Sequence, residues 1–305
     1  MYEGKLEPVF PSQATAQWKE APVLSYPASS RSVPRIGTTR PRALIPVFPG
    51  TNCEYDTAAA LEKAGAEAEI MVIRNRTASE VAASVDAFEQ KIKQSQIIMI
   101  PGGFSGGDEP DGAGKFITAF FRNPKIKDAV HALLKDRDGL MCGICNGFQA
   151  LIKLGLVPYG EIRDMDETCP TLTFNDIGRH QSRQVLTRIA SNKSPWLMHS
   201  RVGDLYQVPI SHGEGRFVCS EELLKTLSEQ GQIATQYVDQ TGMPSMDINA
   251  NPNGSVWAIE GITSPDGRIF GRMAHTERFG NGLYQNVPFS MDGLFFRGAV
   301  DYFRV

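Results

Sequence analysis

Short apolar runs that alternate with helical patterns are the feature of this sequence that most limits its possible folds. Four runs in the first half have the length and composition of buried strands: LIPVF (44–48), IMVIR (70–74), IIMI (97–100) and LMCGI (140–144). Segments with apolar residues at helical spacing separate these runs, and Thr77 with Glu80 forms a candidate capping box before one such helix. Strands that alternate with helices predict βαβ units and a parallel sheet with both faces covered.

The second half of the chain is richer in strand patterns. These patterns are RQVLTRI (183–189), LYQVPIS (205–211), QIATQYV (232–238) and VWAIEGI (256–262). We therefore predict an α/β protein, with an open, mostly parallel sheet flanked by helices and a strand-rich second half.

A change of composition near residue 42 predicts a domain boundary. Residues 1–42 contain prolines at positions 8, 11, 22, 27, 34 and 41. Because such a segment forms neither a helix nor a central strand, we expect an extended arm, mobile or draped over a domain at residues 43–305. Removal of the arm is expected to leave the melting temperature of that domain nearly unchanged.

Composition and charge argue against several classes of function. The formal net charge of -3 offers no polycationic surface for nucleic acid, and no apolar run approaches the roughly 20 residues that span a bilayer. The five cysteines include one isolated CxxC pair, Cys142 and Cys145, which permits a minor redox interpretation. An odd cysteine count without an N-terminal apolar signal segment favours reduced thiols. We therefore expect a cytoplasmic protein with no nucleic-acid or membrane partner.

The sequence GICNG (143–147) follows the fourth predicted strand and precedes a helical pattern. It matches the elbow G-x-nucleophile-x-G, in which a strained turn from strand to helix exposes a nucleophile between two glycines. Cys145 would then be a reactive thiol at a helix N-terminus, which favours its thiolate. The alternative is a buried structural cysteine, and the pattern alone does not choose between the two.

A cysteine nucleophile needs a base, and two His-x-Glu pairs are candidates. His212 with Glu214, and His275 with Glu277, each place both side chains on one side of an extended segment. The residues alone leave the choice between the pairs open.

The glycine-rich stretch PGGFSGG (101–107) follows the third predicted strand and can supply backbone N–H groups to an oxyanion. The neighbouring DGAGKF (111–116) lacks the first glycine and the hydroxyl residue of a phosphate loop, so a nucleotide site is not predicted there. No histidine, cysteine and aspartate cluster has metal-ligand spacing in the sequence, so no metal site is expected.

Several longer stretches resemble the class I (triad) glutamine amidotransferases, and among them the family of glutaminase portions of phosphoribosylformylglycinamidine synthases. The resemblance covers about residues 43–305 and is carried by FPGTNCEYD, PGGFSGGDEPDGAGK, GICNGFQALIKLGLVP, TLTFNDIGRHQSR, PISHGEGRF, NPNGSVWAIEGITSPDGRI and AHTER. Residues 1–41 resemble the connector that precedes this portion in fused, single-chain synthases. The family often has proline where this chain has Thr276, outside the catalytic atoms.

The resemblance implies roles for individual residues. Cys145 corresponds to the nucleophile of the family, and His275 with Glu277 corresponds to its His-x-Glu pair. The backbone N–H groups of Gly103 and Asn146 would form the oxyanion hole. The residues implied in substrate binding are Gln149, Gly102, Phe104, Arg179, His180 and His212.

The resemblance also implies a reaction. Glutamine would be hydrolysed through a cysteine thioester, and the ammonia would pass to a synthetase domain or subunit. That synthetase would convert formylglycinamide ribonucleotide to formylglycinamidine ribonucleotide in de novo purine biosynthesis, with ATP and magnesium, whereas this chain would need no cofactor. Two alternatives stay open: an amidotransferase domain that serves another synthetase, and a thiol-dependent hydrolase or redox-stress protein on the same elbow fold.

Overall fold

The computed structural model describes residues 20–35, 37–104, 114–280, 283–291 and 293–304. Its strands are β1 (Arg42–Val47), β2 (Glu67–Val72), β3 (Ile97–Ile100), β4 (Leu140–Ile144), β5 (Thr171–Thr173), β6 (Gln181–Ile189), β7 (Leu205–His212), β8 (Arg216–Val218), β9 (Ile233–Val238), β10 (Ile259–Thr263) and β11 (Ile269–Arg272). Its α-helices are α1 (Glu54–Ala64), α2 (Ala78–Gln94), α3 (Lys115–Phe121), α4 (Pro124–His131), α5 (Asn146–Leu154), α6 (Leu156–Tyr159), α7 (Glu221–Glu229) and α8 (Phe295–Tyr302). None of the helices in these ranges combines the length and the apolar character that crossing a bilayer requires.

Nine strands form one mixed sheet in the order β2-β1-β3-β4-β11-β10-β9-β6-β7. In this order, the first five strands (β2, β1, β3, β4 and β11) run parallel to one another. Each of the last four strands (β10, β9, β6 and β7) pairs antiparallel with the strand before it. A separate antiparallel pair joins β5 to β8. The predicted α/β class, with a parallel first half and a strand-rich second half, is confirmed.

Predicted and observed elements agree closely in the first half of the chain. The runs IIMI and LMCGI coincide with β3 and β4, and the first two runs overlap β1 and β2. Helix α2 begins after Thr77, whose Oγ1 accepts a hydrogen bond from the Glu80 N–H at 3.2 Å, as the capping box predicts.

The predicted strand at VWAIEGI is wrong in its first residues. A 3₁₀ turn at Val256–Ala258 precedes β10, because Trp257 and Ala258 have φ values of 50° and 55°. An extended strand cannot pass through left-handed backbone of this kind.

The main core surrounds the parallel half of the sheet. All residues of β3 and β4 are buried, and α1, α2 and α5 contact these strands and their neighbours. Phe88 contacts Phe120 and Phe121 edge to face, with ring centroids 5.5 and 5.7 Å apart. The carboxyl ends of the parallel strands β1, β3, β4 and β11 reach the same edge, so the segments that follow them meet there.

The described part of the predicted arm, from residue 20 onward, lies against the domain. The side-chain amide of Gln236 donates to the carbonyl of Pro22 at 2.9 Å and accepts a hydrogen bond from the Leu24 N–H at 3.1 Å. The Arg188 guanidinium donates to the Leu24 carbonyl at 2.6 Å.

The described part of the arm is therefore draped over the domain, which is one of the two expected arrangements. The melting temperature without the arm stays a prediction, and these contacts favour a decrease. Gln236 is fully buried. If the arm were removed, the Gln236 amide would lose two hydrogen-bond partners, the Pro22 carbonyl and the Leu24 N–H. Residues 1–19 lie outside the described residues, and the domain boundary at residue 42 stays a prediction.

Candidate active site

The elbow predicted at residues 143–147 is present between β4 and α5. Cys145 has φ 53° and ψ −108°, a strained conformation that directs its side chain away from both elements. A Cβ on Gly147 would collide with the carbonyl of Ile100, and a Cβ on Gly143 would collide with the backbone of Gly147. Gly147 is therefore required by close packing of α5 against β3, and Gly143 by close packing of β4 against the first turn of α5.

His275 and Glu277 lie beside this cysteine, in the segment that follows β11. The two side chains are buried, and His275 Nδ1 is 2.6 Å from Glu277 Oε1. The backbone N–H of His275 donates to the Pro209 carbonyl at 2.8 Å, which fixes the segment against β7. A Cβ on Gly102 would lie 2.8 Å from His275 Cε1 and 3.3 Å from Cys145 Cβ. The absence of a side chain at residue 102 thus allows the imidazole and the cysteine to approach each other.

The surroundings of His275 favour its protonated form. Burial alone would lower the pKa of His275, but the charge of Glu277 and the neighbouring Cys145 and Cys53 thiols raise it well above its ordinary value. Its Nε2 makes no hydrogen bond of standard geometry to any described residue. An imidazole with this environment can accept a proton from the Cys145 thiol and hold it.

The second His-x-Glu pair lies in a different environment. His212 is buried at the end of β7, where its Nε2 lies 3.3 Å from the Asn253 side-chain nitrogen. Burial, together with the nearby His275 and His180, lowers the pKa of His212 to about 3. His275 is therefore favoured over His212 as the base, because His275 lies against the same glycine as Cys145, whereas His212 Nε2 faces the Asn253 side chain and burial lowers the His212 pKa.

Glu214 and Gln149 connect the His212 segment to the elbow helix. Gln149 Nε2 donates to the Glu214 carbonyl at 2.6 Å, and Gln149 Oε1 accepts from the side-chain amide of Asn146 at 3.0 Å. Gln149 is buried and engaged through both ends of its amide. Its predicted contact with the substrate stays a prediction.

The end of β3 carries the predicted donors of the oxyanion hole. Gly103 has φ 147°, and a Cβ there would collide with the Gly50 carbonyl. Within the described ranges, its N–H has no hydrogen-bond acceptor. Asn146 is the first residue of α5, directly after Cys145. Backbone N–H groups at a strand end and a helix N-terminus suit a developing negative charge.

The remaining predicted binding residues lie farther out. The Phe104 ring is 48% exposed and lies 6.1 Å from the His180 ring. His180 Nε2 is 3.1 Å from the Ser211 hydroxyl, and the Ser211 carbonyl is 3.7 Å from Cys145 Sγ. Arg179 is exposed on the same loop. Phe104 and His180 thus lie close enough to the thiol to contact a substrate bound there. Their roles in binding stay predictions.

Sequence reasoning did not single out Cys53 and Arg278. Cys53 is buried at the N-cap of α1, and its Sγ accepts a hydrogen bond from Arg278 Nη2 at 2.8 Å. The same Sγ lies 4.0 Å from His275 Nδ1. Its position in the sequence could have indicated Cys53 as a site residue, because it follows β1 at the edge of the sheet where ligands bind.

The redox interpretation of the CxxC pair finds no support in the structure. Cys142 lies inside β4, and burial raises the pKa of its thiol well above the ordinary value. Neither Cys142 nor Cys145 is in a disulfide. A redox-active pair needs an accessible thiol of lowered pKa, and Cys142 is neither accessible nor acidic.

Cysteine nucleophiles that act on acyl groups share this combination of elbow, imidazole, carboxylate and backbone donors, so the fold and site define a cysteine-dependent acyl-transfer enzyme. Comparison with known families makes the class more specific. The family described as CobB/CobQ-like glutamine amidotransferase domains matches residues 40–303. The chain belongs to this family, which confirms the predicted resemblance.

Two relatives of similar length carry the same name. Phosphoribosylformylglycinamidine synthase subunit PurQ of Methanococcus maripaludis is 37% identical over 239 residues, which cover 78% of this chain and 82% of that protein. The subunit of the same name from Dehalococcoides mccartyi is 34% identical over 253 residues, covering 83% and 91%. A chain in the structure of PurLQS from Thermotoga maritima superposes with a TM-score of 0.61 at 25% identity, covering 86% of this chain and 99% of that chain.

Proposed function

We propose that this chain hydrolyses the side-chain amide of glutamine through a thioester on Cys145 and delivers the ammonia to a synthetase. One observation carries the proposal: Cys145 at a strained elbow and the buried His275–Glu277 pair flank the same bare glycine, Gly102. The site holds a nucleophile, a base and candidate oxyanion donors, which together suit amide hydrolysis.

In the first half of the reaction, His275 Nε2 takes the thiol proton and the Cys145 thiolate attacks the amide carbon of glutamine. The N–H groups of Gly103 and Asn146 hold the resulting oxyanion. The imidazolium then gives its proton to the leaving nitrogen, the C–N bond breaks, and ammonia and a glutamyl thioester result. Glu277 stabilises the imidazolium in this step through the 2.6 Å contact with Nδ1.

In the second half, water attacks the thioester carbon and gives one proton to His275. The C–S bond breaks, glutamate leaves, and the proton returns to the Cys145 sulfur. Each half needs the imidazole to alternate between neutral and charged forms. The position of Glu277 on Nδ1 suits that cycle, because it keeps Nε2 directed at the reacting atoms.

The acceptor of the ammonia is proposed to be the synthetase part of a phosphoribosylformylglycinamidine synthase. The names of the relatives support this choice, since they are subunits of that enzyme. ATP and magnesium would act in the synthetase, where the formyl amide of formylglycinamide ribonucleotide is activated, and this chain would need no cofactor. We place the reaction in the cytoplasm, in keeping with five free cysteines.

Covalent labelling tests the nucleophile. A diazo-ketone analogue of glutamine should attach to Cys145 in the full chain, as mapped by peptide mass spectrometry. The Cys145→Ala variant should take up no label and lose glutamine hydrolysis, whereas Cys169→Ala, which alters a cysteine on a distant loop, should behave as the unaltered chain. Label on Cys142 or Cys53 would contradict the proposed mechanism.

A reconstitution tests the synthetase. Glutamine-dependent amination of formylglycinamide ribonucleotide should require this chain together with a phosphoribosylformylglycinamidine synthase synthetase subunit, ATP and magnesium. Glutamine hydrolysis without amination, at any ratio of the two proteins, would favour a different synthetase partner.

A further inference from the structure

Three buried side chains beside the proposed base form a mixed sulfur, nitrogen and oxygen donor set. The ligand atoms of Cys53, His275 and Glu277 lie within 4.8 Å of one another. All three side chains are nearly or fully buried. Cys53 makes and breaks no bond in the proposed hydrolysis, although it contributes to the environment of His275, so its place in a set of three donors calls for another explanation.

Thiolate, imidazole and carboxylate are the donors that zinc prefers in proteins. A thiolate and a carboxylate would also balance the two positive charges of the ion in a buried site, where an unbalanced charge is costly. We propose that one zinc ion binds Cys53 Sγ, His275 Nδ1 and the Glu277 carboxylate, and that this ion switches the enzyme off.

The donor atoms need only small movements to reach zinc geometry. Tetrahedral zinc, with bonds of about 2.0 to 2.3 Å, requires donors about 3.3 to 3.6 Å apart. His275 Nδ1 is now 2.6 Å from Glu277 Oε1 and 4.0 Å from Cys53 Sγ. Glu277 must therefore withdraw by about 0.7 Å and Cys53 must approach by about 0.4 Å.

One donor atom already lacks a partner. Glu277 Oε2 is buried and accepts no hydrogen bond from any described residue. A cation bound there would satisfy an oxygen that is otherwise costly to bury. Arg278 now donates to Cys53 Sγ, and its Nε lies 4.0 Å from Glu277 Oε1. Its side chain, which is 29% exposed, would have to move toward solvent.

A cavity provides the route for the ion. It has a volume of about 520 Å³, lies between α1 and α8, and has Glu277 in its wall. Its wall carries the carboxylates of Asp56 and Asp301 as well as the cations of Lys63 and Arg297, and Arg297 pairs with Asp301 at 2.7 Å, so the charges of the wall neither attract nor exclude the ion. Water from the same cavity would complete the four ligands of the ion.

Binding at Nδ1 blocks the proposed hydrolysis by fixing the wrong tautomer. Zinc displaces the proton from Nδ1, so a neutral imidazole must carry its hydrogen on Nε2, which then cannot accept the proton of Cys145. The Cys53 thiol proton and the Nδ1 proton of the imidazolium are both released to solvent, and no atom is oxidised or reduced. This consequence rests on the proposed function, whereas the metal site itself does not.

Cobalt binding tests the site without reference to activity. The probe is Co²⁺ alone, added to the full chain with Cys145→Ala, a background that removes the rival site formed by Cys145 and His275 Nε2. One Co²⁺ per chain should bind and give a thiolate-to-cobalt charge-transfer absorption. In that background, Cys53→Ala and the near-isosteric Cys53→Ser should both lose the absorption, while Cys169→Ala, which alters a cysteine beside Asp166, should keep it. An absorption that persists without Cys53, or no bound cobalt, would overturn the proposal.

Zinc inhibition tests the switch in the chain with Cys145 intact. Zinc should inhibit glutamine hydrolysis reversibly, and a chelator should restore the rate. In Cys53→Ser the inhibition constant, measured against the zinc-free rate of that variant, should rise by more than about tenfold. An unchanged inhibition constant would mean that zinc inhibits by binding Cys145, and it would contradict the proposed zinc switch at Cys53. Failure of glutamine hydrolysis in the absence of zinc would instead contradict the proposed function and leave the cobalt result standing.

Discussion

At the residue scale, His275 and His212 occupy opposite electrostatic environments within one site. The pKa of His275 is raised because Glu277 compensates for its burial, whereas burial and the charges of His275 and His180 all lower the pKa of His212, to about 3. Replacement of His275 by Ala should therefore lower the rate of glutamine hydrolysis by about 10³-fold or more. His212→Ala should lower it by less than about tenfold. A steady-state glutaminase assay compares the two, and the reverse order would show that His212 is the base.

His212 should also make the stability of the fold depend on pH. Its pKa is about 3 in the folded chain and about 6.5 when unfolded, so the unfolded state binds the proton more readily. Stability is therefore complete above about pH 6.5 and is lost as the pH falls toward 3, by about 2 kcal/mol between pH 7 and pH 5. Urea unfolding at both pH values should show a smaller loss in His212→Gln than in the unaltered chain. Equal losses would mean that His212 is not held neutral.

Gly103 offers a second residue-scale prediction. Its φ of 147° and the collision of any Cβ with the Gly50 carbonyl mean that Gly103→Ala must displace the strand end that carries the N–H group. Loss of one oxyanion donor should lower kcat by about 10²-fold or more, with a smaller change in KM. Gly280→Ala is the matched control, because no atom of a described residue other than its chain neighbours lies within 4 Å of its added Cβ. Full turnover in Gly103→Ala would remove this loop from the mechanism.

At the element scale, the fold was predictable where the information is local. The runs that form β3 and β4 are apolar at every position, so they predict buried strands. The two glycines of GICNG predict the elbow, because close packing at the turn leaves no room for their side chains. The turn before β10 was not predictable, because Trp257 and Ala258 are held in left-handed backbone by their surroundings rather than by their own preferences.

The site was predictable only in part for the same reason. Residue types suggested two His-x-Glu pairs, and their difference depends on burial and on neighbours from other elements. Cys53 and His275 are 222 positions apart, so their contact appears in no sequence spacing. Strand order brings them together, because the segments after β1 and β11 end at one edge of the sheet.

A buried ion pair between Glu260 and Arg272 connects the antiparallel strand β10 to β11, which in turn contacts the elbow. Glu260 of β10 accepts from Arg272 Nη2 at 2.9 Å and from the Ala274 N–H at 2.8 Å, while the Arg272 carbonyl accepts from the Cys145 N–H at 2.8 Å. Both charged side chains are at most 4% exposed.

Glu260→Gln would leave the Arg272 charge buried without its counter-charge. The free energy of unfolding should fall by about 3 to 5 kcal/mol, measured by urea denaturation. Glu67→Gln is the control, because it breaks an exposed pair with Arg42 whose side chains are 42% and 47% exposed. The control should lose less than about 1 kcal/mol. Equal losses would show that the buried pair contributes no more than a surface pair.

At the scale of the whole molecule, the described part of the arm contacts two separate segments of the domain, after β6 and after α8. Tyr26 donates from its N–H to the Ala190 carbonyl at 2.8 Å, and the Thr38 N–H donates to the Phe303 carbonyl at 2.7 Å. The described part of the arm is thus draped over the domain, and its role as a connector to another protein stays a prediction.

Removal of residues 1–38 should lower the melting temperature. The fully buried Gln236 amide would lose the Pro22 carbonyl and the Leu24 N–H, and an unsatisfied buried polar group costs about 1 to 3 kcal/mol. For a chain of this size such a loss corresponds to a fall of several degrees, on the order of 2 to 4 °C for each kcal/mol. A chain that begins at residue 20 keeps each of these contacts and is the matched control. Calorimetry should give a lower melting temperature for the chain that begins at residue 39 than for this control. Equal melting temperatures would mean that water replaces the arm without cost, and that residues 20–38 are a connector after all.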